Sequence, residues 1–363
     1  MKVKSVEYRT LRTEVGESVI PASGKANQLP PLVFTSVLTE EGVEGNYISY
    51  CIPEGTVGYG AELARGLLLG RDSYDVGAIS QEAAHILPFS AHPQALAAAD
   101  VCLWDINAKA VNLPLYKYLG ACRDKIRGYA STVAYPTIDG YLKAITDAVA
   151  EGFTAAKVHP FRNAKRDVEL VHTLRSHFPD IDLMIDPVCS YNVPDALEVG
   201  YAVDEANFFW YENPISDYDL SGLAYLAGKL KTPLAVGEQN YVGFPALHDY
   251  LKSGVGFYVR SLGEYAGGLS HVLKSAHAAE AFGMNYEIHS YGPPLNLAMY
   301  LNVALSVPNC EFAEVIVPET LLSMGMADVP AINKDGYVEA PTNPGLGYRI
   351  DRDAIENLTL EVF

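Results

Sequence analysis

Four stretches decide the fold: TAAKVHP at 154–160, DLMIDPV at 182–188, NFFWYENP at 207–214 and TPLAVGEQ at 232–239. Each is a short apolar or aromatic run that reads as a buried strand and ends in charged residues. Working outward, further strand candidates begin near Arg127 (RGYASTVAY), Gly256 (GFYVRSLGEY), Met284 (MNYEIHSY) and Cys310 (CEFAEVIV), so that successive starts fall 24 to 28 residues apart. A step of that size accommodates one strand, one helix and two short loops, and eight in series predict a parallel α/β barrel. GYLKAITDAVAE at 140–151, KRDVELVHTLRSH at 165–177 and LSHVLKSAHAAEAF at 269–282 supply amphipathic helices, ended by Gly152, Pro179 and Gly283. An open doubly wound sheet is the competing architecture, disfavoured because no glycine-rich phosphate turn follows any of these strands.

The flanks read differently. Residues 1–11, 31–38 (PLVFTSVL) and 47–52 are strand candidates, with a turn at 40–45 (EEGVEG). QALAAADVCLWDINAKA at 94–110 places Ala97, Val101, Trp104 and Ala108 on one helical face, and Asp100 and Asp105 read as polar-face or capping residues. Residues 16–31 form a polar stretch that is either a mobile loop or a lid. The loop-rich chain after Pro318 is expected to pack back on the first segment.

Composition sets the limits of function. The 363 residues carry 26 basic and 44 acidic side chains, a net charge of -18, which disfavours nucleic acid and anionic membranes as partners. Five widely spaced cysteines with no CxxC suit a reducing compartment. MKVKSVEYRT lacks an apolar signal core, and no run approaches about 18 apolar residues, so a cytoplasmic protein is expected.

The chemistry gathers at the strand ends. Lys157, His159, Asp186, Glu212, Glu238, Glu264, His289 and Glu314 stand near the C-terminal ends of successive strands, with steps of 26, 26, 26, 25 and 25 from Asp186 onward. A barrel's active site lies at that rim. Three carboxylates on neighbouring strands repel one another unless a cation joins them, and all-oxygen ligation suits Mg²⁺, with Mn²⁺ next. Read singly, Asp186, Glu212 and Glu238 would each pass for a cap or turn residue; their shared register favours a metal site. His159 and His289, on either side of the carboxylates and beside Lys157, suggest two proton-transfer groups flanking a substrate. His172, His177, His248, His271 and His277 fall on helices and read as surface or core residues.

Taken together, Lys-x-His, Asp, Glu-Asn-Pro, Gly-Glu and a strand-end His, with DVCLWDINAKAVNLPLYKYLG at 100–120, resemble the mandelate racemase branch of the enolase superfamily over nearly the whole chain. The resemblance implies a modified (β/α)₇β barrel at 121–318, an α+β capping domain at 1–120, and a C-terminal segment at 319–363 packing on the cap. It implies lid segments at 16–31 and 52–58, Mg²⁺ on Asp186, Glu212 and Glu238, and abstraction of the proton α to a carboxylate through an enediolate. It also favours a homo-oligomer. Two departures stand out. His159 occupies a position that is commonly lysine, and Leu262 or Ser261 lies where an Asp would orient His289; Glu264, two residues beyond Leu262, is the candidate substitute. Glu314 matches an eighth-strand acid that can hydrogen-bond the substrate carboxylate or serve structurally.

The expected activity is dehydration of a sugar acid to a 2-keto-3-deoxy acid, with Lys157, His159 or His289 removing the α-proton and His289 or His159 protonating the departing β-hydroxyl. A racemase or epimerase is the nearest alternative, and a non-catalytic metal-binding barrel is the rival from another class. Substrate determinants are expected in the lid segments, Asn192, Asn240, Tyr291 and the 292–294 turn.

Overall fold

The computed structural model describes residues 1–13, 32–49, 52–86, 93–238, 244–290, 294–317 and 324–363. The segment 16–31, Asn240, Tyr291, Gly292 and Pro293 lie outside the described residues.

Three strands open the chain: β1 (Val3–Leu11), β2 (Leu32–Thr39) and β3 (Glu44–Ser49). The third begins earlier than the sequence suggests. The backbone N–H of Thr39 donates to the Val43 carbonyl and Gly42 turns at φ 84°, so the hairpin closes within residues 39–43 and leaves Glu44 and Gly45 in the strand. The second proposed lid segment, from Ile52, passes through a short 3₁₀ turn at Glu54–Thr56 into the helix Val57–Leu68.

Eight strands follow as the barrel: β4 (Lys125–Thr132), β5 (Ala155–Val158), β6 (Asp182–Ile185), β7 (Trp210–Glu212), β8 (Leu234–Val236), β9 (Tyr258–Ser261), β10 (Asn285–Ile288) and β11 (Phe312–Val317). All pairings along the order β10-β9-β8-β7-β6-β5-β4-β11 are parallel. Among the described residues no ladder joins β10 to β11, and side chains stitch that seam. The Glu287 carboxylate accepts the backbone N–H groups of Glu311 at 2.8 Å and Phe312 at 3.2 Å, and the Ser290 hydroxyl donates to the Glu314 carbonyl at 2.6 Å.

The tail does more than cover the cap. β12 (Tyr337–Glu339) pairs antiparallel with β4 of the barrel, whereas β13 (Thr359–Val362) pairs with β1, giving a four-stranded sheet in the order β13-β1-β2-β3.

The helix Pro93–Ala110 joins sheet to barrel, and here the sequence reading of Asp100 and Asp105 needs correction: they are buried at 6% and 1% exposure, not on a polar face. Asp105 accepts the backbone N–H groups of Asn46 and Leu346. Asp100 caps another element: the barrel helix Leu269–Ala281 starts after Gly268 with no side-chain cap of its own, and Asp100 accepts Ser270 N–H at 2.9 Å and the Ser270 hydroxyl at 2.6 Å. Gly268 has φ 91°, and a Cβ there would lie 2.6 Å from the Asp100 carboxylate, so the approach requires glycine.

Burial raises the Asp100 carboxyl to about 7. The folded state therefore retains a proton that the unfolded chain releases near pH 4. Stability from this group is complete below about pH 4 and lost as pH rises through 7. Asp100→Asn, which keeps an acceptor for Ser270 N–H, should remove that dependence. The difference in Tm between wild type and variant, measured by calorimetry from pH 5 to 8, is expected to move against the wild type up to about pH 7 and then level off; a pH-independent difference would refute this.

Candidate active site and metal centre

Period-two alternation places the site. The lower barrel interior is an apolar layer of Tyr129, Ala155, Met184, Trp210, Ala235, Tyr258 and Phe312, one residue from each of seven strands. Successive strand side chains alternate faces, so the residue two positions on points into the same interior one layer higher. Those positions hold Ser131, Lys157, Asp186, Glu212, Gly237, Arg260 and Glu314, a polar layer on an apolar floor. Gly237 is the exception that brings in Glu238. With φ 100° and space for a Cβ only 3.1 Å from the Arg260 carbonyl, it turns the chain so that the next residue, Glu238, joins the carboxylates.

Asp186, Glu212 and Glu238 each offer an oxygen within 4.8 Å of the others, and all three are buried. Oxygens bound to one Mg²⁺ at about 2.1 Å lie roughly 3 to 4 Å apart, so small side-chain adjustments bring the three onto one ion. The charge fits too. On formal charges, with both histidines neutral, four buried carboxylates, these three and Glu314, against Lys157 and Arg260 leave two negative charges that one divalent ion would balance. A hard, all-oxygen donor set with that deficit suits Mg²⁺.

Lys157 is committed to this cluster. Its Nζ lies 2.8 Å from Glu212 Oε1, 2.9 Å from Glu314 Oε1 and 3.8 Å from Asp186 Oδ2. Burial alone would lower its pKa, but Glu212 and Glu314 outweigh it and hold the ammonium well above its usual range. Glu314 takes four donors: Lys157, Arg260 Nη2 at 3.0 Å, the Ser131 hydroxyl at 2.7 Å and the Ser290 N–H at 3.1 Å. Against the upward push of burial, Lys157, His289 and Arg260 hold its carboxyl well below the ordinary range.

The two histidines flank the triad. His159 Nε2 is 3.3 Å from Asp186 Oδ2 while its Nδ1 meets the Thr132 carbonyl at 2.5 Å, which fixes the ring from behind. His289 Nε2 is 3.5 Å from Glu238 Oε1. Their surroundings act oppositely: burial lowers His289 to about 4, whereas at His159 the neighbouring Asp186 overcomes burial and raises the pKa.

Glu264 departs from expectation. β9 ends at Ser261 and the chain turns into a short helix, Gly263–Ala266, so strand parity does not carry from Leu262 to Glu264. Its carboxylate accepts the hydroxyls of Tyr47 at 3.0 Å and Tyr300 at 2.9 Å and the amide of Asn296, joining cap strand to barrel; none of its described bonds reaches His289. Asn192, a proposed substrate determinant, caps the helix Val193–Glu205 by accepting Asp195 N–H.

Sequence reasoning passed over Arg260, which sits in the middle of the cluster, and Trp210, whose indole N–H donates to Glu212 Oε2 at 2.9 Å. An arginine inside an apolar run, two residues after inward-facing Tyr258, was the available signal for the first. The DPVC turn after β6 is another unread feature: Val188 and Cys189 have φ 53° and 58°, and Val188 N–H donates to Asp186 Oδ1 at 2.7 Å, so local strain is accepted where a candidate ligand is oriented.

A nearly closed parallel barrel with three convergent buried carboxylates on consecutive strands, roofed by an α+β cap from both chain ends, is the enolase superfamily architecture. Within it, the chain belongs to the mandelate racemase / muconate lactonizing enzyme family: residues 10–120 match that family's N-terminal domain and residues 140–354 match the enolase C-terminal domain-like model. It is 26% identical over 317 residues to L-talarate/galactarate dehydratase of Salmonella typhimurium, covering 84% of this chain and 78% of that protein. Arabinonate dehydratase of Saccharolobus solfataricus is 28% identical, covering 72% and 70%. The structure of D-glucarate dehydratase from Agrobacterium tumefaciens, complexed with magnesium, superposes with a TM-score of 0.89 at 27% identity, covering 99% of this chain and all of that one. Among the described residues, no helix is long and apolar enough to cross a membrane.

Proposed function

We propose that this protein is a Mg²⁺-dependent dehydratase of a polyhydroxylated sugar acid, working in the cytoplasm as a homo-oligomer. The observation that carries the reaction is the placement of His159 and His289, which reach different members of one carboxylate triad from opposite sides. Asp186, Glu212 and Glu238 would hold the metal. When bound, a divalent cation supplies electrophilic stabilisation of the oxyanion that develops as the α-proton leaves. Names among the relatives, dehydratases of galactarate and arabinonate, support a sugar-acid substrate.

In this reading one histidine takes the proton from the α-carbon. The other gives a proton to the β-hydroxyl, whose C–O bond breaks to release water, and the resulting enol tautomerises to a 2-keto-3-deoxy acid. Lys157 is a fixed positive charge rather than a base, because its ammonium is spent on Glu212 and Glu314. Glu314, already engaged by four donors, and Glu264, bound at the cap junction, take no proton-transfer role. Residues 121–318 would carry the chemistry, 1–120 would cap it, and 319–363 would pack against both cap and barrel.

The test is a panel of aldonic and aldaric acids incubated with enzyme and Mg²⁺ in D₂O. Keto-acid formation on at least one member is expected. Stereoinversion with deuterium at the α-carbon and no keto acid would replace dehydration by racemisation, and absence of exchange on every acid would favour a non-catalytic barrel.

A further inference from the structure

The barrel contains a cation that the proposed reaction does not use. Arg260 is 1% exposed, with Nε 2.9 Å from Glu212 Oε1 and 3.1 Å from Glu238 Oε2, and Nη2 3.0 Å from Glu314 Oε2. Its Nη1 is 3.5 Å from the Tyr129 hydroxyl, which lies in the apolar floor beneath. Two of its three carboxylate partners are the proposed metal ligands. We propose that Arg260 is a positioning residue of the metal centre, an internal permanent cation that keeps Glu212 and Glu238 together in the metal-free protein and opposes the charge of the entering ion.

The inference rests on the metal reading above and on the chemistry of the side chain. Buried carboxylates that converge without a cation repel one another or take up protons. A guanidinium cannot surrender its charge, and its planar array of donors spans several acceptors at once. Lys157 plays the matching part on the other side, joining Glu212 to Glu314 and lying near Asp186. The site is thus assembled before metal arrives, unlike centres in which the ion itself holds the ligands together. The standing charge beside two ligand oxygens repels a second cation, so affinity is weaker than the three carboxylates alone would give.

Mn²⁺ binding and thermal stability separate this role from simple packing. Wild type, Arg260→Gln and Arg260→Lys are stripped with EDTA; Kd for Mn²⁺ is measured by calorimetry, and Tm is measured with and without a fixed Mn²⁺ concentration. Arg260→Gln should bind Mn²⁺ more tightly than wild type by about 10-fold or more, because it removes a fixed positive charge that lies within hydrogen-bond distance of two ligand oxygens and repels the entering ion. Its Tm gain from Mn²⁺ should be correspondingly larger, because a ligand stabilises a fold according to its affinity. Arg260→Lys, which keeps the charge and hence the repulsion, should stay within about 3-fold of wild type. If Arg260→Gln folds only with Mn²⁺, that is the same result in its extreme form.

Equal losses of Tm with and without metal, an unchanged or weaker Kd in Arg260→Gln, or equal shifts in the Gln and Lys variants would overturn the proposal. Should Arg260→Gln fold in neither state, Arg260→Lys alone decides, and a 10-fold change in its affinity rejects the charge argument. A wild type that takes up no Mn²⁺ would sink the metal reading and this inference together, whereas a binding wild type with unresponsive variants would sink only the role of Arg260.

Discussion

Glu212→Gln should produce the largest single loss, in stability and in metal binding together. Glu212 is wholly buried, and its Oε1 holds Lys157 at 2.8 Å and Arg260 at 2.9 Å while Oε2 accepts the Trp210 indole. Gln fills the same volume but removes the negative charge between two cations that remain buried. Breaking one side of such a pair costs about 3–5 kcal/mol, far more than the intact pair contributes over an apolar replacement. Urea unfolding of the metal-free proteins should show that loss as a lower midpoint. Mn²⁺ affinity should fall by more than the roughly 10–100-fold typical of residues that only support a ligand. Glu212→Asp keeps the charge and should recover part of the stability. If Glu212→Gln binds Mn²⁺ like the wild type, Glu212 is not a ligand.

Replacing either histidine should abolish turnover while sparing the fold, and the two losses should differ in kind. His159 and His289 contact the triad at 3.3 and 3.5 Å, whereas the ion pairs of Lys157 and Arg260 with Glu212 and Glu314 are made without them, so Asn at either position keeps both buried cations paired. A positioned acid or base contributes about 10²–10⁴-fold, and both His159→Asn and His289→Asn should lose that much in keto-acid formation. The variant lacking the base should also lose α-proton exchange in D₂O. The variant lacking only the acid should still exchange the α-proton, because removing it does not require the β-hydroxyl to leave. Exchange in both variants would return Lys157 to consideration as the base; full activity in either would remove that histidine from the mechanism.

Much of this arrangement was legible in the chain. Short apolar runs at a nearly constant step, alternating with amphipathic helices and without a glycine-rich phosphate turn, favoured a parallel barrel over an open doubly wound sheet, and the carboxylates ending three of them share a register that isolated caps or turns do not require. The same periodicity held the signal for Arg260: strand alternation carries the inward face from Tyr258 to residue 260, where charge in a buried run demands partners. Glu264 was misplaced because parity holds only while the strand lasts. The chain turns into a short helix at Gly263, and the carboxylate meets Tyr47, Asn296 and Tyr300. Asp100 and Asp105 read as polar-face or capping residues; Asp100 does cap, but on the neighbouring helix Leu269–Ala281, because a helix's own pattern does not record what packs against its polar positions.

Sequence alone determined the strand-and-helix alternation, the barrel, the three candidate ligands and the flanking histidines, since each follows from local periodicity and from the chemistry a residue type can perform. Tertiary structure alone decided how the charges share the interior. Lys157 is held between carboxylates from strands β7 and β11, Glu314 is filled by donors from β4, β5, β9 and the segment after β10, and Arg260 ties three acids together. Those partners lie up to 183 residues apart, as Ser131 and Glu314 do. Whether a buried lysine is a base or a counter-ion depends on the distances between such groups, which only closure of the barrel fixes.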